Sequence, residues 1–454
     1  MTAPFDLGSA RRIHVVGCGG TGMSPITTVL AAMGHRVSGS DVRDGPVLDR
    51  LRSLGVEVHV GQRAENLDDE IEVVTRSTAV PDSNVEVEEA QRRGIPVLRR
   101  AGALAGICAQ RRTIAVAGSH GKTTTTSMLA LVLVEAGLRP SFIVGGEMAG
   151  GNAVWSDGEL FVVEADESDG TFLELGAEVA VVTSVEADHL EHWGSFAALR
   201  DGFDRFLAEA TGARIVCADD AGAAAAGARV GAITYGTSAG ADYRMRDVAG
   251  GRTGTAFTVD RRGEVLGEIH LPVPGIHNAR NAGAAVAAAL EVGTPFDAAA
   301  RALGRYAGVA RRFQFRGERD GVTFVDDYAH LPGEIRPMLA AAREGGWARI
   351  VCVFQPHRYS RMASLDLADF GEVFDDADVL VVTEIYAQGE APRPGVSGKR
   401  VLEAVLDARP GRKAFWFPSR ADLAANVRSI LRPGDLCLTL GAGDLTLLPD
   451  ELLG

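Results

Sequence analysis

Twice in this chain a short apolar strand runs straight into a glycine cluster and leaves it as a helix. The first case begins at Arg12 and reaches Gly17-Cys18-Gly19-Gly20-Thr21-Gly22. The second begins at Arg112 and reaches Gly118-Ser119-His120-Gly121-Lys122-Thr123. Strand, tight turn and helix in that order build a βαβ unit, whose strands lie parallel and whose helices cover the sheet faces. After Arg312 apolar strands again alternate with helical stretches, at Val322–Val325, Arg349–Phe354, Val379–Thr383, Ala414–Phe417 and Leu436–Leu440. With 454 residues there is room for about three domains of ~150 each. The expectation is an α/β protein of three domains, residues 1–109, 110–311 and 312–454, each a mostly parallel sheet flanked by helices. The outer two read as Rossmann-like. The central one reads as a P-loop-type domain carrying an antiparallel hairpin between Tyr243 and Val273, turning at Arg261-Arg262-Gly263.

The second glycine loop carries the strongest chemical signal. In such a loop backbone N–H groups cradle phosphate oxygens, a lysine offsets β/γ-phosphate charge, and a Thr hydroxyl reaches Mg²⁺. Of the 46 basic residues only Lys122, Lys399 and Lys413 are lysines, so a lysine in this loop stands out from an arginine background. The loop is shorter than the full Walker spacing, and a plain glycine turn capping a helix is the bland alternative. Two more apolar runs end in acidic clusters, Glu164-Ala165-Asp166-Glu167-Ser168-Asp169 and Glu186-Ala187-Asp188-His189. Parallel strands open their C-terminal ends onto one edge, so both clusters should face the loop and suit a hard cation, unless they only cap helices. The Gly17 turn, with Asp41 closing the next strand, suits a diphosphate-bearing nucleotide; NAD and other ribose diphosphates fit it equally. Asp326-Asp327-Tyr328-Ala329-His330 and Gln355-Pro356-His357-Arg358-Tyr359-Ser360-Arg361 also follow strands. Their His and Arg suit a small carboxylate, or else are ordinary loop charges.

Composition narrows the partners. A net charge of −14 and a pI near 5.3 speak against a general nucleic-acid binder or a polybasic membrane protein. No apolar run approaches the ~20 residues of a membrane span, and the N-terminal stretch has no apolar core of a signal peptide. Five scattered cysteines without a CxxC pair read as reduced thiols in a cytoplasmic protein.

Taken in order, Gly17–Ser24, Ser38–Asp41, Ser77–Asn84, Gly118–Thr126, Glu164–Leu173, Val185–Trp193, Pro274–Asn281, Arg311–Gln314, Asp326–Pro332, Phe354–Arg361 and Gly441–Asp444 resemble the bacterial Mur ligases, above all the alanine-adding branch. The resemblance implies an ATP-dependent ligase of peptidoglycan precursor synthesis. It would join L-alanine to the lactyl carboxylate of UDP-N-acetylmuramate through an acyl phosphate, releasing ADP and phosphate. It redirects the first turn from NAD to a UDP-sugar held by Gly17, Gly19, Gly20, Thr21, Gly22, Met23, Ser24, Asp41, Ser77 and Asn84. It implies that Lys122, Glu164 and His189 are catalytic. ATP would lie on Gly118, Ser119, His120, Gly121, Lys122, Thr123 and Thr124, with His277, Asn278 and Asn281 near adenine, Arg312 near the phosphates, and Asp326 or Asp327 near the ribose. Alanine would sit among Tyr328, His330, Arg358 and Arg361. Two Mg²⁺ ions, with Mn²⁺ as a substitute, would be held through Thr123, Glu164 and His189. Some relatives position Mg²⁺ with a carbamoylated lysine; Lys122 is the only lysine before Lys399, so that device is absent from the middle block. The expected protein is a cytoplasmic monomer or weak homodimer that closes about its linkers near Ala109 and Arg311. Rivals are a peptide-adding relative, an NAD-linked oxidoreductase and a nucleotide sensor. If Lys122 steadies the transferring phosphate, Lys122→Ala abolishes ADP formation while a titration shows UDP-sugar affinity largely intact; retained turnover refutes the role.

Overall fold

The structure, a computed structural model, describes residues 4–148 and 151–454; the first three residues of the N-terminal stretch lie outside them. The N-terminal sheet has five parallel strands in the order Glu57–Val60, Arg36–Asp41, Arg12–Val16, Val73–Arg76, Val97–Arg99. Arg12–Val16 is the central strand and is buried throughout, which explains why it reads as a nearly continuous apolar run rather than an alternating one. The helix Ser24–Ala32 leaves the glycine turn with Pro25 in its first turn, where a missing N–H leaves nothing unsatisfied.

The second sheet has ten strands. Its parallel part runs Ile233–Gly236, Arg214–Cys217, Val179–Val182, Arg112–Ala117, Leu160–Glu164, Ser141–Ile143. The strand feeding the Gly118 loop is thus flanked by the two strands that end in acidic clusters, as the sequence leads one to expect. Beyond Ile233–Gly236 the sheet continues through Tyr243–Gly251, Gly254–Arg261 and Glu264–Leu271. The expected hairpin is there, with Arg262 and Gly263 both at positive φ (50° and 90°), as a two-residue hairpin turn demands. A second two-residue connection, Arg252-Thr253, adds a third strand, so the segment is a meander.

The C-terminal sheet has six strands, Gln314–Arg319, Val322–Asp327, Asp435–Leu440, Arg349–Phe354, Val379–Val382, Ala414–Trp416. Only the first pair is antiparallel. Fully buried Phe354, Phe370 and Phe374 pack against the sheet, the latter two rings 5.8 and 5.3 Å from Phe354. The chain divides into two compact units. One holds everything up to Arg246 with Thr258–Glu268 and Arg280–Leu303; the other holds Asp247–Phe257, Ile269–Ala279 and Gly304–Gly454. No helix of the described residues is long and apolar enough to cross a membrane.

The Gly118 loop depends on its two glycines. Gly118 has φ +135°, and a Cβ there would stand 2.1 Å from Thr183 Oγ1. Gly121 has φ +80° and faces Asn281, whose Oδ1 would lie 2.4 Å from an added Cβ. Gly118→Ala is expected to cost about 1–3 kcal/mol through backbone strain and to weaken ATP binding, measured by calorimetric titration; unchanged ATP affinity would show that the loop tolerates a side chain.

Candidate active site

The loop is stitched to the end of the neighbouring strand. Thr183 N donates to Ala117 O (3.0 Å) and Ser119 N to Ser184 O (3.0 Å). His120 N donates to Ser184 Oγ (2.9 Å) and Glu186 N to Ser119 Oγ (2.8 Å), while the His120 ring lies 3.1 Å from Glu186 Oε2. The first residues of the helix Lys122–Glu135, Thr123 and Thr124, are buried under the loop. Asn281 approaches from the helix Ile276–Glu291, its Oδ1 3.4 Å from Thr125 Oγ1. Asn278 stands one turn earlier on that helix and donates to Pro274 O (2.7 Å).

Lys122 is folded back into its own loop. Its Nζ donates to Gly118 O at 2.6 Å and lies 2.9 and 2.7 Å from the two carboxylate oxygens of Glu167. The Glu167 side chain is only 1% exposed. Burial alone would make Lys122 easier to deprotonate, but the carboxylates of Glu167, Asp166 and Glu164 reverse this and raise its pKa. The loop therefore presents a permanent cation. Glu164 ends the strand Leu160–Glu164 and accepts from Gly145 N (2.9 Å). His189, at φ +53° ahead of the short helix Leu190–Trp193, has its ring 3.2 Å from Asp188 and 3.8 Å from Glu191. Among the described residues no three His, Cys, Asp or Glu side chains form a ready metal cluster.

Two residues here escaped the sequence reading. Glu167 is one of four carboxylates in six positions, and nothing in the string distinguishes it. Arg100 opens the helix Arg100–Cys108 at the C-terminal end of the first sheet, the edge that carries the Gly17 turn. Its Nη2 reaches Asp169 Oδ1 and Oδ2 (3.0 and 2.9 Å), Asp166 Oδ2 (3.3 Å) and Thr171 Oγ1 (3.1 Å). Edge position was the available signal.

At the Gly17 turn, the amides of Gly17 and Cys18 donate to Ser40 O, at 2.8 and 3.0 Å. Asp41 closes the turn itself, accepting from Gly19 N (2.9 Å) and Val42 N (2.8 Å). Gly20 accepts from the Met23 and Ser24 amides, and both of those side chains are buried. Ser77 N donates to Val16 O (3.1 Å). Asn84 caps the helix Val85–Arg92 by accepting from Glu86 N (3.0 Å) and donates to Gln62 Oε1 (2.7 Å). Asp41 and Asn84 thus both hold backbone amides of the turn and of a helix start.

In the C-terminal unit, Tyr328, His330 and Arg361 come together. The Tyr328 and His330 rings are 5.5 Å apart, and Arg361 Nη1 contacts His330 Nε2. Arg311 and Arg312 both lie over the Tyr328 ring, at 4.9 and 5.2 Å. Arg358 sits at φ +61°, ahead of the helix Tyr359–Ser364 that carries Arg361. His357, expected from its segment to suit a carboxylate together with the neighbouring arginines, lies 5.3 Å from the His330 ring and stacks on Tyr386. Burial, then the neighbouring His330, Arg361 and Arg358, push its pKa down to about 3, so it is a neutral imidazole in a cationic cluster. Asp326 and Asp327 are buried and engaged. Asp326 accepts from Thr439 and Thr446 hydroxyls (both 2.6 Å), Asp327 from the Phe313 and Ala329 amides (both 2.7 Å). Burial raises the Asp327 pKa to about 6.

Residues 12–112 match the Mur ligase family catalytic domain, residues 116–289 the Mur ligase middle domain, and residues 311–443 the Mur ligase glutamate ligase domain. A UDP-N-acetylmuramate–L-alanine ligase of Solidesulfovibrio magneticus is 46% identical over 96% of both chains. One from an Anaeromyxobacter species is 45% identical, covering 98% of this chain and 97% of its own. The crystal structure of the UDP-N-acetylmuramate-alanine ligase of Thermotoga maritima superposes with a TM-score of 0.82 at 29% identity, over 97% of this chain and 98% of that one. A murein peptide ligase of Psychrobacter arcticus shares the fold, with a TM-score of 0.68 at 24% identity over 98% of both. The chain belongs to the Mur ligase family.

Proposed function

We propose that this chain joins L-alanine to the lactyl carboxylate of UDP-N-acetylmuramate at the expense of ATP, releasing ADP and phosphate, in peptidoglycan precursor synthesis. The observation that carries the reading is a part-buried Lys122 in a glycine loop, held by Gly118 O and Glu167, in a chain 46% identical along its length to a ligase of that name. A carboxylate does not react with an amine near neutral pH, so the acid must first be activated. The lactyl carboxylate oxygen attacks the γ-phosphorus, the bond to the ADP oxygen breaks, and an acyl phosphate forms. The alanine amine then attacks the acyl carbon, loses a proton, and phosphate leaves the tetrahedral intermediate.

Lys122 would exchange Glu167 for the γ-phosphate and offset the charge spreading over its oxygens. Backbone amides from Gly118 to Thr124, with Ser119 and His120, would cradle the remaining phosphates, Arg312 would assist, and His277, Asn278 and Asn281 would border the adenine. Thr123 and Glu164 are hard oxygen donors beside that lysine and fit Mg²⁺, with His189 toward a second ion; Mn²⁺ would substitute. Such ions neutralise phosphate charge and are usually held by few protein ligands and several phosphate oxygens, which suits a site without a three-residue cluster. The Gly17–Ser24 turn, with Asp41, Ser77 and Asn84, would hold the UDP-sugar. Arg358 and Arg361 would pair with the alanine carboxylate beside Tyr328 and His330. Asp326 and Asp327 would border the ribose from the end of the strand Val322–Asp327. The three modules, divided near 109/110 and 311/312, would close to bring the substrates together, as a cytoplasmic monomer or weak homodimer acting on small molecules.

Phosphate release by the purified protein is expected only when UDP-N-acetylmuramate, ATP and an amino acid are all present. Alanine should be preferred over glycine, serine and a tripeptide. Release without the UDP-sugar, or a preference for the tripeptide, contradicts this reading.

A further inference from the structure

The turn that carries Glu167 is gripped by the end of a different segment. Trp193 closes the short helix Leu190–Trp193, which His189 precedes, and its backbone N–H donates to His189 O (3.3 Å). Its indole Nε1 donates to the backbone carbonyl of Glu167 at 2.9 Å. That carbonyl also closes a tight turn by accepting from Gly170 N (3.2 Å). The indole is wedged in place. Its ring meets Phe172 edge to face, with centroids 5.9 Å apart, and Phe172 packs on Phe203 and Phe206 at 5.2 and 5.3 Å. All three phenylalanines are buried. On the far side Gly202, in the helix Phe196–Glu209, leaves room for the ring: a Cβ there would lie 2.7 Å from Trp193 Cη2. A phenyl ring would satisfy this packing equally well, and Gly194 at φ +73° already ends the short helix. What the indole adds is one directed N–H, and it goes to Glu167.

We infer that Trp193 is a positioning residue for phosphoryl transfer: its indole N–H fixes the Glu167 backbone, so that the Glu167 carboxylate sets Lys122 where the γ-phosphate arrives. This rests on the reading of Lys122 as the γ-phosphate lysine and adds the element that keeps it in register. A carboxylate that leaves Lys122 for a phosphate and later returns needs a fixed backbone to swing from. Any shift of that backbone is passed to the two carboxylate oxygens and so to Lys122 Nζ, 2.9 and 2.7 Å away. Small misplacements of a group that acts on the reacting phosphate are costly. Trp193 itself touches no reacting atom. Its effect therefore falls on kcat rather than on capture of ATP, which the backbone amides of the glycine loop carry.

The test is steady-state phosphate release by the full chain in a double-mutant cycle. Trp193→Phe keeps an aromatic ring and removes the donor. It is expected to lower kcat about three- to tenfold, the worth of one neutral hydrogen bond, with KM for ATP, UDP-N-acetylmuramate and alanine unchanged. In a Glu167→Gln chain (Glu167→Asp, should the amide be inactive) the same substitution should cost nothing further, because the group it acts through is already disabled. Unchanged kcat in Trp193→Phe overturns the proposal, as does a raised KM for ATP at constant kcat. Wild-type kcat in the Glu167 variant also overturns it. So does a loss that multiplies with that of the Glu167 variant, which marks Trp193 as ordinary packing. If circular dichroism shows that Trp193→Phe does not fold, Gly202→Ala displaces the same indole from behind and is held to the same outcomes. A wild-type chain that releases no phosphate with all three substrates sinks the functional reading and this proposal with it; every other result bears on the Trp193–Glu167 link alone.

Discussion

A lysine ammonium held out of water needs carboxylates around it, and the site is organised by how Lys122 meets that need. Its Nζ is 2.7 Å from a Glu167 carboxylate that is 1% exposed, and it donates to the carbonyl of Gly118 in its own loop. An ion pair this deep is poor evidence of stability, because desolvation offsets most of the attraction. Its value is geometric. It keeps the cation charged and in place when no phosphate is there, and it leaves one exchangeable partner for an incoming anion.

That pair makes demands on its surroundings. Glu167 is carried by a loop that continues the strand Leu160–Glu164, next to the strand that feeds the phosphate loop. The same loop is fastened on its other side by Arg100, at the start of the helix that follows the first sheet. The loop from Gly118 to Gly121 is pinned by Thr183 and Ser184 at the end of the second neighbouring strand. Parallel strand order thus brings a lysine, a carboxylate 45 residues on and two pinning hydroxyls a further strand away to one edge. Within the C-terminal unit, strand order likewise gathers Tyr328, His330 and Arg361 into a cationic cluster with a neutral His357 beside it, a set of side chains of the kind that pairs with a carboxylate.

Much of this was legible in the sequence, for identifiable reasons. The central strands are buried on both faces, so Ile114 to Ala117 and Val179–Val182 read as unbroken apolar runs. The turns between them need positive φ, so glycine marks them. The second turn of the meander, at Arg252-Thr253, is not legible in the sequence, because the one at Arg262-Gly263 already accounts for the alternation. The site was legible as residue types and less so as partners. Four carboxylates between Glu164 and Asp169 look alike in a string. Tertiary packing turns Glu167 inward to Lys122 and hands Asp166 and Asp169 to Arg100. Asp41 and Asn84 stand where the sequence put them, but the backbone amides of Gly19 and Glu86 engage their side-chain oxygens.

The central claim is that Lys122 gives up Glu167 for the transferring phosphate. A crystal structure of the chain with a non-hydrolysable ATP analogue and Mg²⁺ measures this directly. The account predicts the γ-phosphate within hydrogen-bonding distance of Lys122 Nζ, with the Glu167 carboxylate displaced from it. A triphosphate bound elsewhere, with the Lys122–Glu167 pair intact, would contradict it.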